Sequence, residues 1–176
     1  MNAAYVYLQL YRLFDRSTPA KSDCGILCDS ACCKGDDSGM YLFPGEQCVY
    51  DLLQPEWVQI EESDFFYEHN GKKRNVPIAF CNGRCDRYQR PLACRIFPLT
   101  PFLEEDGTLS IIIDPRAKSL CPLAENWELS DFEEKFITNI KKAFHILLKN
   151  GEFRSFMRAY SDYLSEFRRF FKVKGE

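Results

Sequence analysis

The placement of cysteines is the feature that most constrains this chain. Nine cysteines occur in 176 residues, and four of them lie within ten positions, at Cys24, Cys28, Cys32 and Cys33. Structural disulfides are rare in reducing compartments, and a disulfide framework favours an even number of cysteines. Metal binding is therefore the stronger interpretation of these thiols.

The remaining composition predicts a single cytoplasmic domain covering residues 1–176. The chain is 45% hydrophobic, with a net charge of -3, which is ordinary for one globular domain. The start "MNAAYVYLQLYRLFDR" lacks a basic leader and a small-residue cleavage site. No apolar run approaches the roughly 20 residues of a membrane helix, so no membrane association is expected.

Hydrophobic patterning predicts an α+β fold with a small antiparallel sheet. Asn70-Gly71 and Asp106-Gly107 are strong hairpin signals between alternating segments, and two hairpins fit one sheet. The N-terminal segment, closed before Pro19, reads as an amphipathic helix, although its alternation also permits a strand. The apolar stripe of that helix consists of Val6, Leu10, Leu13 and Phe14.

In the last third of the chain, residues 127–172, the sequence pattern predicts two helices that form an antiparallel hairpin. Ser130 to Glu133 match a capping box, and Asn150-Gly151 supply a left-handed stop between the helices. The aromatic seam of the second helix suits packing on the first, with a dimer interface as the alternative. The first helix's stripe is Phe132, Phe136, Ile140, Phe144 and Leu147; the seam is Phe153, Phe156, Tyr160, Tyr163, Phe167 and Phe170.

Eight of the nine cysteines form two groups that predict metal ligation within residues 23–122. Thiolates select zinc or iron-sulfur clusters, and four complete either a tetrahedral zinc site or one cubane. Cys48 has no close partner and is interpreted as a buried free cysteine. The candidate ligands are Cys24, Cys28, Cys32, Cys33, Cys81, Cys85, Cys94 and Cys121.

Spacing indicates that the first group does not complete a site alone. In a helix, Cys24 and Cys32 would lie roughly 12 Å apart, too far for one zinc ion. Adjacent Cys33 would point about 100° away, so the segment either serves two metal centres or is only partly helical. The Asn82-Gly83 turn favours a tight loop that brings Cys81 and Cys85 together, and the second group is expected to supply the missing ligands.

A strip of arginines accompanies the second cysteine group. A dication held by four thiolates carries a net charge of about -2, which guanidinium groups stabilise. The alternative is a nucleic-acid or protein-binding surface, but the sequence pI of about 5.5 argues against nucleic acid. The strip, Arg84 to Arg95, consists of Arg84, Arg87, Arg90 and Arg95.

These motifs resemble the YkgJ-type cysteine-cluster proteins, a family described as a zinc- or iron-chelating domain with eight cysteines. Its pattern is a quartet ending in a cysteine pair, followed by a cysteine, tyrosine, Arg-Pro and Cys-Arg stretch. Here the quartet has three residues in each of its two gaps, and one residue fewer precedes the Arg-Pro pair. The resemblance implies metal binding. The second stretch is matched by Cys85, Tyr88, Arg90-Pro91, Cys94-Arg95 and Pro98.

The leading hypothesis is a monomer or homodimer that holds zinc, as one or two ions, in all-cysteine sites without catalysis by the chain itself. The alternative cofactor is iron or a [4Fe-4S] cluster, which implies electron transfer or a redox or methyl-transfer reaction. Among other polar groups, His69 is predicted to be solvated and His145 to be a packing or surface residue. Glu46, Glu61 and Glu62 are predicted to lie on solvated faces.

Overall fold

The computed structural model describes residues 3–26, 28–34, 39–83 and 85–174, and within them the fold is α+β. Residues 35–38, which follow the first cysteine group, and Arg84 of the arginine strip lie outside the described residues. No helix in the described ranges is both long and apolar enough to cross a membrane. The helices are α1 Ala3–Arg12, α2 Gln47–Leu53, α3 Leu92–Ile96, α4 Pro122–Asn126, α5 Glu134–Leu147 and α6 Gly151–Lys174.

The strands form two separate antiparallel sheets. β1 (Gly39–Tyr41), β3 (Lys72–Cys81) and β2 (Val58–His69) form one sheet in that order, and β4 (Leu99–Leu103) pairs only with β5 (Leu109–Ile113) in the described structure. Both predicted hairpin turns are confirmed. The prediction that the two hairpins share one sheet is wrong, because β3 pairs with β1 on its other side.

The N-terminal helix is confirmed, and aromatic residues lie at the centre of its buried face. Tyr7 and Tyr11 are each 2% exposed, whereas Val6 is only partly buried. The Tyr7 hydroxyl donates to the carbonyl of Pro44, and the Tyr11 hydroxyl donates to Glu46. These bonds fix α1 to the loop that precedes α2.

The two C-terminal helices exist as predicted, but the aromatic seam packs mainly on a sheet. Phe156 lies 5.6 Å from Tyr67 between ring centroids, and Tyr163 lies 5.3 Å from Phe65. α5 packs on β4 and β5, and α6 packs on β2 and β4. Phe144 and Phe153 join the two helices beside their connection. The prediction that the seam packs on α5 is therefore wrong, because the apolar face of α6 packs mainly on β2.

Two predicted helix signals act differently in the structure. The capping box forms two residues earlier, between Glu128 and Asp131, and begins a short 3₁₀ turn (Leu129–Asp131) rather than α5. Asn150 does not adopt a positive φ. Its side-chain oxygen instead accepts the backbone N–H groups of Glu152 and Phe153, so it caps the start of α6. The α5 stripe itself is buried as predicted.

Candidate metal centre

The first cysteine group lies in two short 3₁₀ turns rather than in one helix. These turns cover Cys24–Ile26 and Ala31–Cys33, and Asp29 and Ser30 between them have φ values of 49° and 56°. Positive φ interrupts a right-handed helix. The segment is therefore only partly helical, as one of the two interpretations of its spacing predicted.

The second cysteine group begins where β3 ends, in a loop that lies against the first group. Gly83 has a φ of 81°, and a Cβ atom placed on it would lie 3.1 Å from the carbonyl oxygen of Cys33. The N–H of Gly83 also donates to the Cys81 thiol at 3.3 Å. A side chain at position 83 would press on the Cys33 carbonyl and strain the positive φ, so glycine permits this close approach of the two motifs.

Thiols from both groups line one cavity of about 440 Å³. Its wall continues from the first-group turn across the end of β3 to α3, which carries Cys94. The Sγ atoms of Cys32 and Cys33 lie 3.9 Å apart. The structure thus brings together two distant stretches of sequence. The cysteines of this cavity are Cys32, Cys33, Cys81, Cys85 and Cys94.

Cys24, Cys28 and Cys121 form the remainder of the candidate set and are absent from the lining of that cavity. The Cys28 thiol lies 3.8 Å from the carbonyl oxygen of Cys24. Burial raises the pKa of Cys24, and Asp23 and the Cys121 and Cys28 thiols raise it further. Cys121, 7% exposed, precedes α4. These influences indicate that the three thiols neighbour one another.

The thiol groups of the candidate ligands do not point toward a common centre in this structure. In the described ranges, no three histidine, cysteine, aspartate or glutamate side chains converge with geometry that could hold a metal ion. All nine cysteines are free thiols. The donor types suit zinc or an iron-sulfur cluster, and a common metal would require the thiols to turn toward one point.

Arg90 provides positive charge at the cavity. Its Nε donates to the Cys85 thiol at 3.1 Å. The pKa of Cys33 is lowered to about 6, mainly by a hydrogen bond from Cys32 and also by the charge of Arg90, while burial opposes both. The same hydrogen bond raises the pKa of Cys32. Burial raises the pKa of Cys94, although Arg90 opposes the change.

Arg95 has an internal structural role. Its side chain is 3% exposed and stacks over the Tyr11 ring at 4.3 Å. Its Nε donates to the carbonyl of Arg90, and its Nη1 donates to the carbonyl of Tyr11. Arg87 is half-exposed and lies 3.6 Å from Asp23. The described part of the strip therefore turns two of its guanidinium groups inward.

Cys48 and Glu46 differ from their predicted surroundings. Cys48 is exposed on α2, so its interpretation as a buried free cysteine is wrong. Glu46 is 0% exposed, so its prediction as a solvated residue is also wrong. Its carboxylate accepts hydrogen bonds from the Tyr11 hydroxyl and from the N–H groups of Phe43 and Leu92. The last bond fixes the start of α3, which carries the ligand candidate Cys94.

The histidines lie away from the thiols. His69 is partly buried, and its Nδ1 lies 3.0 Å from the hydroxyl of Ser155 on α6, so its prediction as a solvated side chain is wrong. His145 is exposed on α5, as predicted. Neither imidazole lines the cysteine cavity.

A buried ion pair near the cavity is a feature that the sequence analysis missed. Asp114 and Arg116 both line the same cavity as the thiols. Asp114 follows β5 and Arg116 lies in the next 3₁₀ turn. An Asp-Pro-Arg sequence predicts an N-terminal cap and no more, so their position beside the cysteines depends on the tertiary structure.

Comparisons with known proteins do not assign this fold and site to a family. No family model matches the chain, and neither the curated proteins nor the solved structures contain a match. The resemblance to the YkgJ-type proteins therefore stays a prediction.

Proposed function

We propose that this protein binds one or two metal ions through thiolates from its two cysteine motifs, with zinc as the simplest occupant. The observation that carries the proposal is the single cavity lined by five cysteines from both motifs. The close approach of Gly83 to Cys33 supports it, because it places the two motifs side by side. A closed four-thiolate zinc site is structural, and its binding free energy contributes to folding.

The neighbours of each thiol suggest how eight ligands divide into two sets. Cys32 and Cys33 are adjacent and line the same cavity, but their further electrostatic neighbours differ. The Cys32 pKa is raised mainly by Cys33 and by burial, and then by Cys28 and Cys24, whereas the Cys94 pKa is raised by burial and then by Cys33 and Cys85. We assign one set to Cys24, Cys28, Cys32 and Cys121, and the other to Cys33, Cys81, Cys85 and Cys94.

The charge around the second set is compatible with an anionic metal centre. Four thiolates and a dication carry a net charge of about -2, and a guanidinium donor to sulfur offsets part of it. Arg90 already donates to Cys85. A [4Fe-4S] cluster uses the same four thiolates and is the alternative occupant, with electron transfer as its function. Free thiols in this number suit the reducing cytoplasm.

Anaerobic purification followed by metal and sulfide analysis with a visible spectrum tests this proposal. We expect one or two equivalents of zinc and no visible band; a brown protein with acid-labile sulfide would instead assign an iron-sulfur cluster. Protein that contains no stoichiometric zinc or iron after reducing purification would overturn the proposal. Metal-free protein should also regain stability when zinc is added.

Two serine variants test the division into sets. Cys85→Ser should remove one metal equivalent and leave the other, and Cys28→Ser should do the reverse. Cys48→Ser is the matched control, because Cys48 is exposed on α2 and should change neither. Loss of all metal in both variants would contradict two independent centres and indicate one shared cluster.

A further inference from the structure

The cavity that the five thiols line also has two charged lining residues, Asp114 and Arg116. Asp114 Oδ1 accepts a hydrogen bond from Arg116 Nε at 2.9 Å, and Oδ2 accepts one from Nη2 at 2.6 Å. Arg116 Nη2 also donates to the Tyr160 hydroxyl. The N–H groups along one edge of the guanidinium, on Nε and Nη2, therefore already donate to protein acceptors.

The remaining nitrogen, Nη1, has no acceptor among the described side chains and carbonyls. Three tyrosine rings surround the guanidinium, with centroids 5.4 to 5.9 Å from its central carbon. Tyr41, Tyr160 and Tyr163 therefore hold it in one place, while its side chain remains 22% exposed. Arg116 lines the cavity, and a guanidinium fixed in this way offers the two Nη1 protons to a ligand at little further cost in ordering entropy.

Apolar side chains also contribute to the wall of this cavity. Met40, Trp57, Phe97 and Leu120 are among its lining residues. The cavity volume of about 440 Å³ lies within the roughly 300–1,000 Å³ range of small-molecule sites.

We infer that this cavity binds a small apolar monocarboxylate, with its carboxylate on Arg116 Nη1 and its hydrocarbon body against Met40, Trp57 and Leu120. Asp114 already neutralises most of the Arg116 charge, which favours a monoanion over a doubly charged phosphate. The apolar walls favour a hydrocarbon body over a sugar or a peptide. The site lies next to the proposed metal centre and extends that proposal by naming a ligand class, but carboxylate binding at Arg116 does not require the metal.

Calorimetric titration of the full chain tests the inference with hexanoate, 3-phenylpropionate and 4-phenylbutyrate, each paired with its neutral amide. At least one acid should bind saturably and roughly tenfold or more tightly than its amide, because a charge-assisted hydrogen bond is lost in the amide. Equal binding of acid and amide, or no binding by any acid, would overturn the inference.

Variants locate the carboxylate on Arg116. R116Q should weaken acid binding roughly tenfold or more and leave amide binding unchanged. Leu120→Asp provides a second variant at an exposed position, where it places a negative charge on the wall and should also weaken acid binding. Arg74→Gln is the control, since Arg74 is half-exposed and pairs with Glu152. Unchanged acid binding in both cavity variants would contradict the assignment.

Metal content measured on the same samples separates this inference from the proposed function. Stoichiometric metal without acid binding would overturn only the ligand site. Acid binding in a protein that holds no metal would support the ligand site and overturn the metal proposal.

Discussion

Gly83 and the carbonyl oxygen of Cys33 lie so close together that a Cβ atom at position 83 would approach the oxygen to 3.1 Å. This close approach places two cysteine motifs side by side that are separated by about fifty residues in the sequence. The start of the second motif therefore lies against the end of the first.

Replacing Gly83 should therefore weaken metal binding. Gly83→Ala adds a contact with the Cys33 oxygen to the strain of a positive φ, which costs about 1–2 kcal/mol by itself. Gly107→Ala is a matched control, because Gly107 has a φ of 85° and nothing within 4 Å of an added Cβ. Competition with a chelator should show weaker zinc binding in G83A and wild-type binding in G107A; equal affinities in the two variants would contradict a role for the contact.

Glu46 is expected to stabilise the fold through its three accepted hydrogen bonds. Glu46→Gln replaces one acceptor oxygen with an amide nitrogen that faces a donor, so the free energy of unfolding should fall by about 1–3 kcal/mol. Urea unfolding measures the change. Glu61→Gln is the control, because Glu61 is exposed and accepts only from Gln59. A loss of unfolding free energy in E61Q as large as that in E46Q would contradict this explanation.

The pH dependence of the same variant should reveal the burial of Glu46. Burial raises the pKa of Glu46 above its ordinary value of 4.5, although three donors oppose the change. A carboxyl group whose pKa is raised in the folded state contributes its full stabilisation at pH values below the ordinary pKa. This contribution is lost as pH rises through the pKa of the folded state. Glutamine does not titrate, so the wild-type advantage over E46Q should shrink as pH rises above 4.5. A stability advantage of the wild type over E46Q that grows with pH would contradict a raised pKa for Glu46.

Arg90 should control the reactivity of Cys33 in metal-free protein. The guanidinium helps to hold the Cys33 pKa near 6, so Arg90→Gln should raise the pH at which Cys33 is half-alkylated by iodoacetamide. Peptide mass spectrometry against pH measures this value. Arg87→Gln is the control, because Arg87 pairs with Asp23 at the surface. An unchanged alkylation profile in R90Q would exclude Arg90 as the cause.

Asn150 is expected to stabilise α6 as its N-cap. Asn150→Ala should reduce the free energy of unfolding by about 1 kcal/mol, because the N–H groups of Glu152 and Phe153 lose their acceptor. Asn150→Asp retains an acceptor at the positive end of the helix and should preserve stability. Thermal unfolding of both variants checks the difference, and equal losses would show that the cap does not act through its side-chain oxygen.

Local sequence signals predicted the elements of this fold but not their partners. Asn70-Gly71 and Asp106-Gly107 predicted two hairpins, because few residue pairs accept the φ values that tight turns require. The sheet to which each hairpin belongs depends on β1, a three-residue strand with no distinctive pattern. The aromatic seam of α6 showed that one face is buried, but periodicity does not distinguish a helix partner from a sheet partner.

The cysteine spacing alone indicated that the first motif needs ligands from elsewhere, since a short segment does not direct four thiols to one point. It also predicted the tight loop at Asn82-Gly83, because glycine adopts a positive φ without strain. The tertiary structure decided which thiols share a cavity, the burial of Glu46, and the presence of Arg116 in the wall of that cavity. These features arise from contacts between residues far apart in sequence, and local backbone preference does not encode such contacts.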